Sequence, residues 1–283
     1  MMGCTTRIDH VVINVRQDMD SAEKLCEALG FTVTPRGYHT LGSINHLMMF
    51  KTDYFELIGI PDGGETKRVD LITAPVGING LVFKTDNVDD TYARLVALGI
   101  DGDPPRAFSR PVECDGVERD AMFRTVTVRP DVFPAGRVYF CEHVTPELVW
   151  RSEWLTHENG SGSIAEVVIV AEDVKGVSDG YARLVQGEAG VIVDGARKID
   201  TADVRLTFLH PSGYRKRYGN LASDLKGREQ IFGALVFRCY SLANMAGILN
   251  RIENPLPHTV GDDSIVVRFP EYDSMLEFVG PEA

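Results

Sequence analysis

The sequence lacks the features that define several large classes of protein. Its five cysteines form no CxxC pair, and an odd number spread over 283 residues is poor material for a disulfide framework. No apolar run approaches the length of a membrane-spanning helix, and the opening MMGCTTRIDH lacks the apolar segment of a signal peptide. We therefore expect reduced thiols, a cytoplasmic location and no membrane partner.

Basic residues are scarce as well. With 29 Lys and Arg against 41 Asp and Glu, the net charge of -12 disfavours a long surface for nucleic acid, so we expect no nucleic-acid partner. The chain also has no GxSxG elbow, Walker loop, HExxH motif or GxGxxG after a strand. These absences exclude the corresponding hydrolases, nucleotide-binding enzymes and metalloproteases.

What the sequence has is an internal repeat. Residues 10–31 and 80–100 share one order: a β-branched or aromatic run, an acidic turn, and a stretch of helical period that ends near Ala-Leu-Gly. Residues 166–185 repeat the Tyr-Ala-Arg-Leu-Val of the second unit, and residues 234–252 repeat its Leu-Val-Phe-basic run. The chain therefore contains four related units.

Each unit is predicted to be a βαβββ module. In the first unit, the helix is followed by three short apolar runs, FTVTPRG, INHLMMF and YFELIGI, which turn residues separate. Four modules pair as two and two, which predicts an α+β fold with two curved-sheet, open barrel-like domains. The Gly- and Ser-rich segment THENGSGSI divides the chain into a domain at 1–155, a linker at 156–163 and a second domain at 164–283.

Alternation along two strands of the first module selects the first candidate residues. The aliphatic face of the first strand should meet the helix, so the opposite face points into the cleft; we expect that face to carry Ile8, His10, Val12 and Asn14. In the last strand, Glu56 is acidic within an otherwise apolar run, and a buried carboxylate needs a cation, a donor or water.

The tandem βαβββ pattern, with His in the first strand of a module and Glu in its last, resembles the vicinal oxygen chelate superfamily of glyoxalase I, extradiol dioxygenases and bleomycin-resistance proteins. TPRGYHTLGSINHLMMF (34–50), FCEHVTPELVW (140–150) and HENG (157–160) resemble its glyoxalase-like domain proteins in particular. The resemblance covers essentially the whole chain. It implies the fold more firmly than the reaction, because the superfamily supports many chemistries.

The resemblance implies a divalent metal ion (Zn, Ni, Mn, Mg or Fe), held by the first and last strands of two paired modules. His10 and Glu56 match that pattern in the first module. The corresponding first-strand position of the second module is Gly80, which offers no ligand. In the last strand of the second module, Glu142 is the preferred ligand and a candidate catalytic group. A shift of one residue would place His143 there instead.

Further residues near the expected cleft are candidates for catalysis or binding. If its face lines the cleft, His46 fills the place left by Gly80 as a ligand, acid or base. The candidate substrate-binding residues are Arg36, His39, Asn45, His143 and Trp150.

The second pair of modules carries less chemistry. Its corresponding positions are read as Glu166, His210, Ala234 and Glu277. Because Ala234 offers no ligand atom and His210 stands at a strand end, we interpret this half as structural and degenerate.

The resemblance implies a lyase or isomerase in which the metal stabilises the enediolate of a small hydroxy or keto substrate. The first alternative is a non-catalytic protein that binds a small molecule, as bleomycin-resistance proteins do. The second is a ring-cleaving extradiol-type dioxygenase, which ranks lower because Gly80 stands where that chemistry asks for a second histidine. A homodimer is compatible with the architecture.

Overall fold

The computed structural model describes residues 5–63 and 68–281. Its first half forms a mixed eight-stranded sheet in the order β2-β3-β4-β1-β5-β8-β7-β6. The strands are β1 (Ile8–Arg16), β2 (Gly37–Tyr38), β3 (Ile44–Met49), β4 (Tyr54–Gly59), β5 (Gly77–Lys84), β6 (Arg106–Cys114), β7 (Val117–Thr127) and β8 (Arg137–His143). The helices are α1 (Met19–Ala28), α2 (Val69–Thr73) and α3 (Val88–Leu98).

The second half forms a seven-stranded sheet in the order β10-β11-β9-β12-β15-β14-β13. The strands are β9 (Ser161–Ala171), β10 (Ala196–Asp200), β11 (Arg205–Leu209), β12 (Gln230–Cys239), β13 (His258–Val260), β14 (Ser264–Phe269) and β15 (Ser274–Val279). The helices are α4 (Val174–Val185), α5 (Pro211–Tyr218) and α6 (Leu242–Leu249).

The predicted α+β class of curved-sheet modules is confirmed. The first, second and fourth modules each follow the βαβββ order, and in each the first and last strands pair in parallel. The third module differs, because two strands follow α4 and helix α5 comes next in the chain. The described residues of this module therefore form one strand fewer than the repeat predicts.

Local sequence explains the helices that flank the first sheet. Helix α1 buries Met19, Ala22 and Cys26, whose spacing places them on one face. Helix α3 begins at Asn87, whose side chain accepts hydrogen bonds from the backbone N–H groups of Asp89 and Asp90. It ends at Gly99, where φ is 70° and glycine is favoured.

One apolar core joins the two sheets through their helix-bearing faces. At its centre, the ring of Phe31 lies 5.1 Å from Phe55 of the first sheet and 5.4 Å from Phe237 of the second. Each sheet therefore turns its other face away from this core. The residues on those two outer faces form separate apolar clusters.

The segment expected to be a linker, 156–163, is packed into the molecule. The backbone N–H of Thr32 donates to Nδ1 of His157, whose Nε2 lies 2.9 Å from the carbonyl oxygen of Met49. Asn159 donates to the carbonyl oxygen of Leu29, and β9 begins at Ser161. The two sheets divide within this region, and the boundaries at 155 and 164 stay a proposal.

The first sheet curls until its edges meet. Strand β2 at one edge continues into Thr40, whose backbone N–H donates to the carbonyl oxygen of Ser109 in β6 at 3.0 Å. The N–H of Ser109 donates back to the Thr40 hydroxyl. This contact nearly closes a barrel. The interior of the barrel is lined by the face of the first sheet that points away from the shared core.

The described cysteines, Cys26, Cys114, Cys141 and Cys239, are unpaired, while Cys4 lies outside the described residues. Among the described helices, none is long and apolar enough to cross a membrane.

Candidate functional site

The nearly closed first sheet encloses a cavity of about 620 Å³. Its walls come from β1, β3, β4 and β8 on one side and from the long β6–β7 hairpin on the other. A pocket of this size suits a small organic molecule.

A β-bulge in β1 sets the floor of the cavity. Ile8 pairs with Phe83 and His10 pairs with Val82, so Asp9 is an extra residue in the ladder. Strict alternation is broken here: Ile8 joins the core beneath the helices, while Asp9 turns towards His10. This corrects the expected cleft position of Ile8 and adds an unpredicted acidic residue to the site.

Asp9 is fully buried between two imidazoles. Its Oδ1 accepts hydrogen bonds from Nδ1 of His10 at 2.7 Å and from Nε2 of His143 at 3.0 Å. Burial alone would raise the pKa of this carboxyl, but the charges and hydrogen bonds of His143 and His10 hold the pKa well below its ordinary value. An ionised Asp9 therefore fixes a proton on Nδ1 of His10 and directs Nε2 into the cavity.

His10 and Glu56 converge inside the cavity, as the sequence predicted. Nε2 of His10 lies 3.5 Å from Oε2 of Glu56 and 3.2 Å from the hydroxyl of Tyr139. The other carboxylate oxygen of Glu56 accepts a 2.6 Å hydrogen bond from Asn45. Tyr54 stacks on the His10 ring at 4.4 Å and keeps it in this orientation.

Strand register assigns Tyr139, not Glu142, as the counterpart of Glu56. In the first module Val12 pairs with Glu56, and at the equivalent step of the second module Val82 pairs with Tyr139. Burial raises the pKa of the Tyr139 phenol far above its usual range, despite the nearby charge of Arg137. Tyr139 therefore presents a neutral hydroxyl where the family pattern implies a ligand.

Glu142 lies on the opposite face of β8, which corrects its assignment as a ligand and catalytic group. The face it shares with Val138 and Phe140 packs towards the helices, because side chains alternate along the strand. Oε2 of Glu142 accepts a 3.0 Å hydrogen bond from the backbone N–H of Val88. Glu142 thus caps the first turn of α3.

His46 and Arg36 also lie outside the cavity. His46 donates from Nδ1 to the carbonyl oxygen of Thr34 at 2.7 Å, and its neighbours Met48 and Phe50 are in the core beneath the helices. Arg36 donates to Nε2 of His46 and forms an ion pair with Glu23 of α1 at 2.6 Å. The expectation that His46 fills the place left by Gly80 is therefore corrected.

Of the other predicted binding residues, two line the cavity wall and two lie behind the Asp9–His10 pair. His39 and Asn45 line the cavity. His143 reaches the cavity only through Asp9, and Trp150 packs behind it with ring centroids 4.7 Å apart. We therefore interpret His143 and Trp150 as supports of the Asp9–His10 pair.

Five arginines that sequence reasoning missed also line the cavity: Arg68, Arg106, Arg110, Arg129 and Arg137. Arg68 forms a two-point ion pair with Asp70, with distances of 2.8 and 2.7 Å. The sequence did contain a pattern that could have identified Arg110. It shares one face of its strand with the apolar residues Phe108 and Val112, which places it on the inward face. No local signal places any of them beside His10.

In the described part of the second sheet, α5 occupies the corresponding hollow, and the cavity beside Glu166 and Val236 is smaller, at about 230 Å³. Arg217 of α5 donates to Glu166 at 2.6 Å and to Glu277 at 2.7 Å, so its guanidinium lies between the two carboxylates. Val168 pairs with Thr207, which makes Thr207 the counterpart of Glu56. The expected His210 instead begins α5, where its side chain accepts from the N–H of Ser212.

Comparison with known proteins agrees with this geometry. The family model described as "Glyoxalase-like domain" matches residues 8–185. The chain belongs to the glyoxalase-like domain family. A search of curated proteins gives no match for this glyoxalase-like protein.

Solved structures similar to this glyoxalase-like protein share its fold at low identity. A hypothetical protein from Staphylococcus aureus has 11% identity and a TM-score of 0.69, over 98% of this chain and 100% of that one. A mutant of 4-hydroxymandelate synthase from Streptomyces coelicolor has 13% identity and a TM-score of 0.58, over 98% of this chain and 92% of that one. A xylose isomerase-like TIM barrel/4-hydroxyphenylpyruvate dioxygenase fusion protein has 11% identity and a TM-score of 0.60, over 100% of this chain and 50% of that one.

Glyoxalase-like proteins commonly use a divalent metal, so the donor atoms of this one must be tested against such an ion. The 3.5 Å gap between His10 and Glu56 suits two ligands of a single ion, whose donors stand about 3.4 Å apart in a tetrahedral site. Two ligands are nevertheless one fewer than catalytic zinc sites use. A side chain at Gly80 would have its Cβ 2.8 Å from that of Val12, and Tyr139 is neutral. This set does not fit a resident divalent ion.

A second set of donors lies beside the first. Asp9, Cys141 and His143 each place one donor atom within 4.8 Å of the others. However, Oδ1 of Asp9 already accepts from both imidazoles, and burial raises the pKa of the Cys141 thiol well above its usual value. Oδ2 of Asp9 has no hydrogen-bond partner among the described residues, but an ion bound there would still need Cys141 to lose its proton.

Proposed function

We propose that this glyoxalase-like protein catalyses proton transfer on a small hydroxy or keto substrate, as an isomerase or lyase. The observation that supports this proposal is the convergence of His10 Nε2 and Glu56 Oε2 at 3.5 Å in a cavity, with Asp9 behind the imidazole. His10 and Glu56 are 4% and 5% exposed, so both act in a largely dry environment where charges interact strongly.

In the proposed reaction, Glu56 is the base. Asn45 holds one oxygen of its carboxylate, which leaves the other to take a proton from the carbon next to the substrate carbonyl. Negative charge then develops on the carbonyl oxygen. Nε2 of His10, which Asp9 directs into the cavity, and the hydroxyl of Tyr139 face that oxygen and supply the hydrogen bonds that stabilise its charge. If that carbon carries a hydroxyl, transfer of the hydroxyl proton to the charged oxygen and return of the abstracted proton to the former carbonyl carbon complete an isomerisation. Loss of a leaving group from the carbon beyond the enolate completes a lyase reaction.

The test is exchange of carbon-bound hydrogen in D2O, followed by NMR with hydroxyacetone and phenylpyruvate as probes. Wild-type protein should accelerate exchange of at least one probe. Glu56→Gln and His10→Gln should each lower that rate by about 10²-fold or more, the usual contribution of general acid–base catalysis. The matched control is Glu142→Gln, which changes a carboxylate that faces α3 and should retain the wild-type rate.

Two outcomes would contradict the proposal. One is exchange at the wild-type rate in Glu56→Gln. The other is a stoichiometric metal, found by elemental analysis of untagged protein and lost from Glu56→Gln, which would restore a metal-dependent lyase or isomerase.

The alternative function is binding without turnover. The missing ligand at Gly80 and the enclosed cavity favour it, and it predicts a ligand-dependent rise in melting temperature with no exchange. A ring-cleaving dioxygenase is less favoured, because Gly80 supplies no second imidazole. A cytoplasmic location and a homodimeric state stay predictions.

A further inference from the structure

Arg110 is a buried cation that forms no ion pair among the described residues; Glu56 attracts its charge, but without a direct contact. It extends from β6 into the cavity, is 4% exposed, and its Nε and Nη2 atoms have no hydrogen-bond partner. Strand β2 passes directly over it at Gly37, where a Cβ would lie 3.0 Å from Cδ of Arg110 and 3.1 Å from Nη1. The absence of a side chain at this glycine leaves space for the guanidinium.

Arg137 adds a second guanidinium with free donors. Its Nε and Nη2 are buried without a partner, and only Nη1 reaches a carboxylate, at 3.4 Å from Asp70. Nη2 lies 3.8 Å from where the Cβ of a residue at position 80 would stand. A positive group therefore borders the position where the family pattern implies a metal ligand.

Four acidic residues line the cavity, Glu56, Asp70, Asp101 and Asp103, and the first two already have partners. Asp70 pairs with Arg68, and Glu56 contacts Asn45 and His10. A buried charge without an ion pair is costly. An anion that enters the cavity therefore gains hydrogen bonds and an ion pair with Arg110 that no described side chain already forms. His39 does not compete, because burial and the charges of Arg110 and Arg68 lower its pKa to about 3 and keep it a neutral ring.

We propose that the ligand of this cavity is an organic oxyanion, a carboxylate or phosphate, that Arg110 binds with help from Arg137. A guanidinium presents paired N–H donors that match such a group. Phe108, Phe123, Leu47 and Ile58 line the same cavity and contact an apolar or aromatic body. This inference rests on the proposed function for its choice of site, but it does not depend on proton transfer.

The test compares phenylacetate, phenyl phosphate and neutral phenylacetamide by thermal shift and titration calorimetry. One or both anions should bind the wild-type protein and raise its melting temperature, and the amide should not. The anion that binds more tightly shows whether the site prefers a carboxylate or a phosphate. Arg110→Met should weaken anion binding at least about tenfold, since a charged hydrogen bond is lost. Arg137→Met should weaken it less.

Two controls separate loss of binding from loss of folding. Arg119→Met removes an exposed arginine of the same hairpin and should bind anions as wild type does. Without ligand, Arg110→Met should melt at or above the wild-type temperature, because it removes a buried unpaired charge.

An equal response of the wild type to acid and amide, including no response to either, would overturn the proposal. So would unchanged anion binding in Arg110→Met. Anion binding by the wild type without exchange refutes only the proton-transfer function. Exchange of hydroxyacetone without any anion response refutes only this inference.

Discussion

Buried carboxylates show how single residues are stabilised in this protein. Asp9 accepts from two imidazoles, and Glu277 accepts from Arg217 and from the Tyr218 hydroxyl. Asp53 differs, because it accepts only neutral donors: the backbone N–H of Ile164 at 2.9 Å and the Thr52 hydroxyl at 2.9 Å. Burial dominates there and raises the pKa of Asp53 to about 6.

Asp53 should therefore make the protein less stable as pH rises. The folded carboxyl keeps its proton up to about pH 6, while the unfolded one, with a pKa of 3.8, loses it earlier. Between about pH 4 and 6 the folded state binds more protons, so the free energy of unfolding falls by roughly 3 kcal/mol across that window. Asp53→Asn should lack this decrease in urea unfolding at pH 4, 5, 6 and 7. Exposed Asp62→Asn should retain it, and an unchanged slope in Asp53→Asn would refute the assignment.

At the scale of elements, register and bulges decide which side chains meet. The bulge at Asp9 adds a carboxylate to the cavity floor, and the register of β5 with β8 places Tyr139 opposite Glu56. Alternation along β8 sends Glu142 to the N-terminus of α3, where a negative charge and an acceptor are both favourable. One face of β8 thus lines the cavity, and its other face carries the residue that caps α3.

Loss of the cap should affect stability and leave the cavity intact. Glu142→Ala removes the acceptor of the Val88 N–H, which should lower the free energy of unfolding by about 1 kcal/mol. Chemical denaturation measures this change, and Glu147→Ala, an exposed carboxylate nearby, is the control. Loss of proton exchange or anion binding in a stable Glu142→Ala protein would return this residue to the site.

At the scale of the whole molecule, two similar sheets have different hollows. In the second sheet Arg217 lies between Glu166 and Glu277, so the chain supplies its own cation. In the first sheet the corresponding space is open and bordered by Arg110 and Arg137, each of which has buried nitrogen atoms without a hydrogen-bond partner. The single core between the sheets holds both in a fixed arrangement.

Because of that shared core, the two halves should unfold together. Phe31→Ala removes a ring that contacts Phe55, Phe237 and Phe278, and should cost about 3–5 kcal/mol. Differential scanning calorimetry should show one transition in the wild type and one, shifted down, in the variant. The exposed Val191→Ala is the control, with an expected change within about 0.5 kcal/mol. Two transitions, of which only one moves, would show that the halves unfold separately.

Local sequence patterns were enough to predict the repeat, the α+β class and the inward direction of His10 and Glu56, because periodicity is a local property of one strand or helix. They also marked His39 and Asn45, which lie in the cavity. The three-dimensional fold was needed to show that Asp9 joins them, that Tyr139 replaces Glu142, and that His46 and Arg36 face away. It also brought Arg110 beside strands far from it in sequence and placed α5 in the second hollow. These outcomes depend on strand register, a bulge and contacts between distant segments, which are fixed by packing of the whole core.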